Sequence, residues 1–352
     1  MNYIVQTQKI VKEILKIADI EGKLTGFSIG NTAKIDDNSL YFTPIRDTSV
    51  VIIGGVIVYS EKQAIEIAKA IDGKVHYILV DSEKKIPDEM SLTGEPSNVE
   101  RSVRESVKKS TLWVYKGNDL SVEAVDTLLA QLTRKSIKGI GGRKITILGA
   151  GNLGAKLALK LVERGANITI TRRNKEILEA ITQVLNYIKP KYTTSKVVCT
   201  TDNDVAAKGA EILIGTTQGI PVITKEMIKR LRKRAIIVDV GKGTLYPEAI
   251  KAAEENKFNI YRLDISAVFE GLIHQLQATE RLVEQRLGRR VLYEEYLVSG
   301  GLIGRENEII VDNVWEPTRV YGVANGRGDF IRSLSSQQKN RIERLEKLFS
   351  KK

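Results

Sequence analysis

The chain has 352 residues, 42% hydrophobic and 28% charged, enough to bury more than one substantial core, which argues for two domains. Its net charge of +12 is spread along its length, and the densest run, KRLRKR at 229–234, falls at a helix end where it complements the helix dipole, so a nucleic-acid role is disfavoured. The single cysteine, Cys199, excludes disulfides within the chain and fits a reducing, cytoplasmic setting, and no apolar run approaches membrane-spanning length.

The first residues place Ile4, Ile10, Ile14 and Ile17 at helical spacing with charges between them, which reads as an amphipathic helix and not as a signal peptide. A turn-rich stretch follows. Residues 49–60, SVVIIGGVIVYS, have a buried-strand pattern interrupted by Gly54 and Gly55. A short helix is expected at 61–70 and a strand at 75–80, which runs into Asp81, Ser82, Glu83, Lys84 and Lys85. A charged helix at 100–109 precedes a strand at 111–115, then Lys116, Gly117, Asn118 and Asp119, and a helix over 121–134. Strands alternating with helices predict a small α/β layer, in which polar residues past the strands' carboxyl ends are the usual ligand positions. Asp119 or Ser121 also suits a plain helix cap.

The next stretch, RKITILGAGNLGAKLALKLVERGANITITRRNK at 143–175, organises the chain. An apolar run at 145–148 stops at Gly149, Ala150, Gly151, Asn152, Leu153 and Gly154; a helical face of Leu153, Leu157, Leu161 and Val162 follows; a second apolar run occupies 168–171. Strand, glycine turn, helix and strand in this order are the context in which G-x-G-x-x-G binds a dinucleotide. Gly149 permits the tight turn, Gly151 lets the backbone approach a pyrophosphate at the helix N-terminus, and Gly154 allows close helix–strand packing. NAD-preferring sites put an acidic residue at the end of the second strand. Here Thr171, Arg172, Arg173 and Asn174 stand instead, and guanidinium groups suit a 2′-phosphate, so the expected cofactor is NADP. Further strands are expected at 196–200, 211–216, 235–240 and 258–264, completing a doubly wound domain; Thr216 and Thr217 after the fourth, and Gly241 after the fifth, fall on the cofactor side.

A long amphipathic helix is expected over 268–288, carrying His274, Gln275 and Gln277. No ligand cluster accompanies His274, so no metal site is expected. The glycine-rich SGGLIGRENE and VANGRGDF segments read as loops, and a charged helix at 337–349 puts Ile342, Leu345 and Phe349 on one face.

With these residues laid out, the chain resembles the shikimate dehydrogenase superfamily, which includes quinate dehydrogenases and is related to the nucleotide domain of glutamyl-tRNA reductases. Gly117-Asn118-Asp119-Leu120 resembles its Asn-Thr-Asp-Gly helix start, Thr171-Arg172-Arg173-Asn174 its NADP phosphate motif, and Gly215-Thr216-Thr217-Gln218-Gly219 its loop after the fourth strand. Lys84 and Lys85 fall where the family carries its catalytic lysine, and Gln275 or Gln277 where a late helix offers a glutamine to substrate. The family's N-terminal Ser-x-Ser has only Thr25 and Ser28 as counterparts, its lysine signature is missing around Lys84, and the chain beyond about Gly300 extends past a typical member. The only cysteine lies in the nucleotide part, which disfavours glutamyl-tRNA reduction.

The fold class expected is therefore α/β: an N-terminal α/β substrate domain (1–135), a doubly wound Rossmann NADP-binding domain (136–266), and a C-terminal helix returning to the cleft plus an extension (267–352). The resemblance implies an NADP-dependent oxidoreductase acting on a small hydroxy or amino acid-like metabolite. Lys84 or Lys85 would serve as acid/base, Asp119 as its partner, and Asn118, Gln275 and Gln277 as substrate contacts. A homodimer is compatible with it. The competing expectation is a non-catalytic sensor or adaptor that reads NADP(H).

Overall fold

The computed structural model describes residues 3–32, 40–86 and 97–350. The chain divides into two compact units, Met1–Glu270 and Gly271–Lys352.

The first unit opens with helix α1 (Tyr3–Glu21) and strands β1 (Leu24–Asn31), β2 (Tyr41–Asp47) and β3 (Val51–Val58). There follow α2 (Glu61–Ile71), β4 (Tyr77–Asp81), α3 (Val99–Ser106), β5 (Thr111–Tyr115) and α4 (Gly117–Thr133). Its five strands lie in the order β2-β3-β1-β4-β5. All pairs are parallel except β2 with β3. Seven of the eight residues of β1 are buried, as are seven of β3, so their side chains read as continuous apolar runs and not as an alternation. The glycine pair expected to interrupt β3 does not. A Cβ at Gly54 would come within 2.9 Å of Ile14 on α1, and one at Gly55 within 2.0 Å of the Ser28 hydroxyl, so both glycines let neighbouring elements approach.

A second sheet follows: β6 (Lys144–Leu148), α5 (Asn152–Glu163), β7 (Asn167–Thr171), α6 (Lys175–Ile188), β8 (Val197–Thr200), α7 (Asn203–Ala207), β9 (Ile212–Gly215), α8 (Lys225–Arg230), β10 (Ile236–Asp239), α9 (Pro247–Glu255) and β11 (Asn259–Arg262). The order β11-β10-β9-β6-β7-β8, all parallel, is the doubly wound arrangement expected from the sequence. Its direction reverses between β6 and β9, which places the topological switch point at Gly149 and Thr216.

The two sheets are joined through α4 and α5. Down their contact run three ion pairs: Lys156 with Asp119 at 2.6 Å, Lys160 with Glu123 at 2.5 Å, and Arg164 with Asp126 at 2.6 Å. The acidic members recur along α4 and the basic members along α5 at about one helical turn, so each set forms one face. Asp126 is almost fully buried; the Arg164 guanidinium donates one hydrogen bond to it at 2.7 Å, and Lys160 approaches at 3.8 Å, so the buried carboxylate has cationic partners.

Helix α10 (Ser266–Gln285) begins in the first unit and continues into the second. The second unit then carries a sheet that the sequence pattern did not announce: β12 (Arg289–Leu292), β13 (Glu295–Ser299), β14 (Ile309–Val311) and β15 (Val320–Val323), in that order, followed by α11 (Ser336–Phe349). Leu345 and Phe349 pack with Leu297, Ile309, Val311 and Val323, and Ile342 packs beside them, so the face expected on the last helix is the one it buries. Buried Glu295 is held by Arg341 at 2.6 Å and Arg344 at 2.7 Å from α11.

Candidate active site

The glycine loop has the properties its sequence demands. Gly149 sits at φ +112°, a left-handed conformation that glycine alone adopts without strain. A Cβ at Gly154 would lie 2.1 Å from the Gly149 carbonyl oxygen, so helix and turn can meet only with glycine there. A Cβ at Gly151 would meet nothing within 4 Å: the loop is open at the position where a pyrophosphate approaches. Gly151 is also the N-cap of α5, so no side chain caps the helix and its first-turn N–H dipoles are left to an anion. Ala150 donates its N–H to the Thr171 carbonyl at 2.7 Å, fastening the turn to the end of β7.

Arg172 donates to the Ala150 carbonyl at 2.8 Å, which anchors its guanidinium beside the loop, whereas Arg173 is exposed. Asn174 caps α6 by accepting from the Ile177 N–H at 2.9 Å, and Thr171 is buried in β7, so both shape the loop around the arginines. The Thr216 hydroxyl donates to the Leu148 and Gly149 carbonyls at 2.9 and 2.8 Å, and that of Thr217 to the Ile220 carbonyl at 2.6 Å. These threonines lock the switch point. Gly241 makes room for buried Thr244, whose methyl would lie 2.6 Å from a Cβ there.

The carboxyl ends of β4 and β5 carry the other half. Lys85 is bound by Asp81 and Glu83, each at 2.8 Å, and not by Asp119 as expected. Asp119 stands in the first turn of α4 and pairs with Lys156. The helix starts at Gly117, ahead of the expected Ser121, with Lys116 as an N-cap that makes no side-chain bond; neither Asp119 nor Ser121 caps it. That early start turns Asp119 toward α5, away from Lys85. Lys84 is exposed. Buried Asp81 also accepts the N–H groups of Glu83 at 3.0 Å and Gly117 at 3.2 Å, so its charge is well satisfied.

Glu83 joins the two halves. It accepts the Asn118 N–H at 2.8 Å, holds Lys85, and approaches Lys156 of α5 at 3.6 Å. Burial pulls the Lys156 ammonium down, but its bonds to Asp119 and Glu83 outweigh this and hold its pKa above the ordinary lysine value. The Asn118 side chain donates to Asn152 of the glycine loop at 3.0 Å. Asn118, expected as a substrate contact, is thus a bridge to the cofactor loop. Desolvation first, then the Asp81 carboxylate, pushes the Tyr115 phenol well above its ordinary pKa, so it stays a neutral hydroxyl. Asn31, buried at the end of β1, donates to the Asp81 carbonyl at 3.0 Å, and among the described residues its side-chain oxygen has no hydrogen-bond partner.

On the β2 side, Arg46 donates to the Ser266 hydroxyl at 3.2 Å and lies over the Phe269 ring, and Lys242 of the loop after β10 lies over Tyr41. Bonds from Ser266 hold Asp264 below the usual carboxylate range, with Arg46 and Lys242 adding to the effect. Gln275 and Gln277 lie past residue 270 in the second unit; Gln275 is exposed and gives its backbone carbonyl to Thr279. Thr25 and Ser28, the candidates for the Ser-x-Ser motif, are buried inside β1, where Thr25 bonds His76. Among the described residues no cluster of His, Cys, Asp and Glu could hold a metal ion, and no helix is long and apolar enough to cross a membrane.

Sequence reasoning missed Asp81, Glu83 and Lys156. The available signals were the i, i+4 spacing of Asp81 and Lys85 and the facing charge stripes of α4 and α5.

Comparison with known proteins fits this geometry. A family described as "NADP oxidoreductase coenzyme F420-dependent" matches residues 144–243, the segment holding the glycine loop, both arginines, Thr216, Thr217 and Gly241. NADP, the cofactor expected from Arg172 and Arg173, is the one named for that domain. Among curated proteins, the glycerol-3-phosphate dehydrogenase [NAD(P)+] of Limosilactobacillus reuteri is 31% identical over 120 residues, 33% of this chain and 34% of that protein. The Bacillus velezensis enzyme of the same name is 28% identical over 141 residues, 38% and 40%. The chain thus spans little more than a third of these relatives' length, and they are glycerol-3-phosphate dehydrogenases, not shikimate dehydrogenases. Among solved structures, a dipicolinate synthase from Bacillus halodurans has 12% identity and a TM-score of 0.36, covering 73% of this chain and 98% of its own. L-Tryptophan dehydrogenase from Nostoc punctiforme has 12% identity and a TM-score of 0.42, covering 74% of each chain. Similarity this low says nothing of activity.

Proposed function

We propose that the chain is an NADP-dependent oxidoreductase that reduces or oxidises a carbonyl or imine carbon of a small, hydroxy or amino acid-like metabolite. The observation that carries this reading is the physical link between the two loops: Asn118 to Asn152, and Glu83 to Lys156, join the carboxyl ends of β4 and β5 to the glycine-loop helix. The residues fit the cofactor. The open Gly151, the uncapped N-terminus of α5 and the anchored Arg172 would take the diphosphate and 2′-phosphate. When bound, NADP(H) supplies or accepts the hydride. Lys85 carries three N–H donors, two of which are engaged by Asp81 and Glu83. The third is available to the substrate oxygen or nitrogen, where a charge-assisted bond stabilises developing negative charge. Asp81 and Glu83 hold the ammonium in place from two sides, so Lys85 serves as a positioned hydrogen-bond donor.

The test is NADPH titration followed by a panel of oxo acids and imines, monitored by nicotinamide absorbance. Lys85→Met should retain NADPH affinity and lose about 10²- to 10⁴-fold in turnover. Full activity in that variant removes Lys85 from the mechanism. Arg172→Gln with Arg173→Gln should weaken NADPH by roughly 10- to 100-fold and NADH far less, from the loss of charge-assisted bonds; equal losses would remove the arginines from phosphate recognition. A second reading, a sensor that binds NADP(H) without turnover, is favoured by one fact: both lysines of the cluster are already paired with carboxylates of the chain. Tight NADPH binding with no turnover on the whole panel would select it.

A further inference from the structure

Helix α6 has more apolar surface than its own sheet covers. Leu178 and Leu185 face the core, yet Ile177, Ile181, Val184 and Ile188 form a second stripe beside them. Ile177, Val184 and Ile188 are 44%, 55% and 52% exposed, Ile181 is half-buried, and Tyr187 next to the stripe is 88% exposed. Ile181 also packs against the core of the sheet, so three members of the line are exposed; isolated exposed apolar residues are ordinary, but three in one line with Tyr187 beside them are not.

The spacing of the stripe suits a second copy of the same helix. Steps of four, three and four residues read the same in both directions, so a second α6 laid antiparallel about a two-fold axis sets Ile177 level with Ile188 and Ile181 level with Val184. The same superposition sets Glu176, near the start of the helix, level with Lys189 just past its end. Lys189 is half-buried and gives one donor to the Thr193 carbonyl; its other ammonium donors would meet Glu176 at each end of the seam, a self-complementary arrangement that suits an isologous contact.

The neighbouring edge strand argues against a partner that adds a strand. β8 closes the six-stranded sheet, and Asn186 of α6 occupies the free backbone groups of Val197: its amide donates to the Val197 carbonyl at 2.7 Å and its oxygen accepts the Val197 N–H at 3.0 Å. The edge is thereby blocked at Val197, the first residue of a four-residue strand, which disfavours pairing there. The helix stripe is left as the sticky surface.

We infer that the chain forms a two-fold homodimer through antiparallel packing of α6 against α6, with Ile177, Ile181, Val184 and Ile188 as the seam and Glu176–Lys189 pairs closing its ends. The test is sedimentation velocity of the full chain across a concentration series. The wild type should sediment as a dimer, and Val184→Glu as a monomer with unchanged melting temperature and NADPH affinity, since the replaced side chain is on the surface. Glu176→Lys should raise the dimer dissociation constant about tenfold by placing like charges together, and adding Lys189→Glu should restore it. A wild type that is monomeric at every concentration overturns the inference, and so does a dimer that survives Val184→Glu. Cys199, the only cysteine, gives an independent readout on adjacent β8: a thiol-reactive spin label there should report one intermolecular distance in the wild type and none in Val184→Glu. The same distance in both variants would place the contact elsewhere.

Discussion

The six-stranded and five-stranded sheets of the first unit both present polar loops at the carboxyl ends of parallel strands, but they build them from different material. In the six-stranded sheet the loop is mainly backbone: a left-handed Gly149, a Gly154 that admits no Cβ, and threonine hydroxyls tied to carbonyls. In the five-stranded sheet the loop is made of side chains, with Asp81, Glu83, Lys85, Asn118 and Asp119 held by one another and by α5. Backbone loops tolerate almost no substitution, whereas a side-chain network can be dismantled one interaction at a time.

Four substitutions or conditions put that difference to work. The largest effect belongs to Gly154→Val. Its side chain would begin 2.1 Å from a carbonyl oxygen, so NADPH binding should be abolished and the unit destabilised by more than about 3 kcal/mol, read by calorimetry and thermal unfolding. Survival of NADPH binding would show that the turn can reshape. Next, Arg164→Met leaves the buried Asp126 carboxylate with only Lys160, 3.8 Å away, as a cationic partner, and should cost about 3 kcal/mol in denaturant unfolding without changing NADPH preference. The bridge between the loops is weaker. A double-mutant cycle of Asn118→Ala and Asn152→Ala should give a coupling of roughly 0.5–1.5 kcal/mol; zero coupling in both stability and turnover would reduce the bridge to an incidental surface contact.

The smallest effect is with acid. Asp264 is held below its usual range by Ser266, and Asp72 likewise by the N–H groups of Ser110, Lys108 and Lys109 against an opposing effect of burial. A carboxyl whose folded pKa is depressed contributes stability above its unfolded pKa and loses it as pH falls through the folded value. The melting temperature should therefore be level with respect to these groups near neutrality and decline below about pH 4. Asp264→Asn and Asp72→Asn should each flatten part of that decline, and an unchanged acid limb would remove both from its cause.

The nucleotide half was legible in the sequence because its constraints are local. A glycine triplet between a strand and a helix can satisfy the switch point in few other ways, and the doubly wound fold and the NADP cofactor were expected from it and the arginines beside it. The other half was legible in its elements but not in its pairings. The Lys85–Asp81 contact was one helical turn away in sequence, yet Asp81 read as the end of a strand and Asp119 as the carboxylate at a resembling distance. Starting α4 at Gly117 turned Asp119 toward Lys156, a contact between residues 37 apart that no local pattern announces. The four-stranded sheet of the second unit escaped for another reason. Its strands are three to five residues long and separated by glycine-rich turns, so none supplies a period long enough to detect.

Helix α5 ties these observations to time. Its N-terminus would receive the diphosphate, and Asn152 and Lys156 on the same helix hold the loop that carries Lys85. An empty glycine loop leaves that helix end without its anion, and the residues meant to meet the substrate hang from it. On the proposed oxidoreductase reading, the expected outcome is that the nucleotide binds first and leaves last. In steady-state kinetics the oxidised nucleotide should then compete with NADPH alone, and the reduced product should compete with neither substrate.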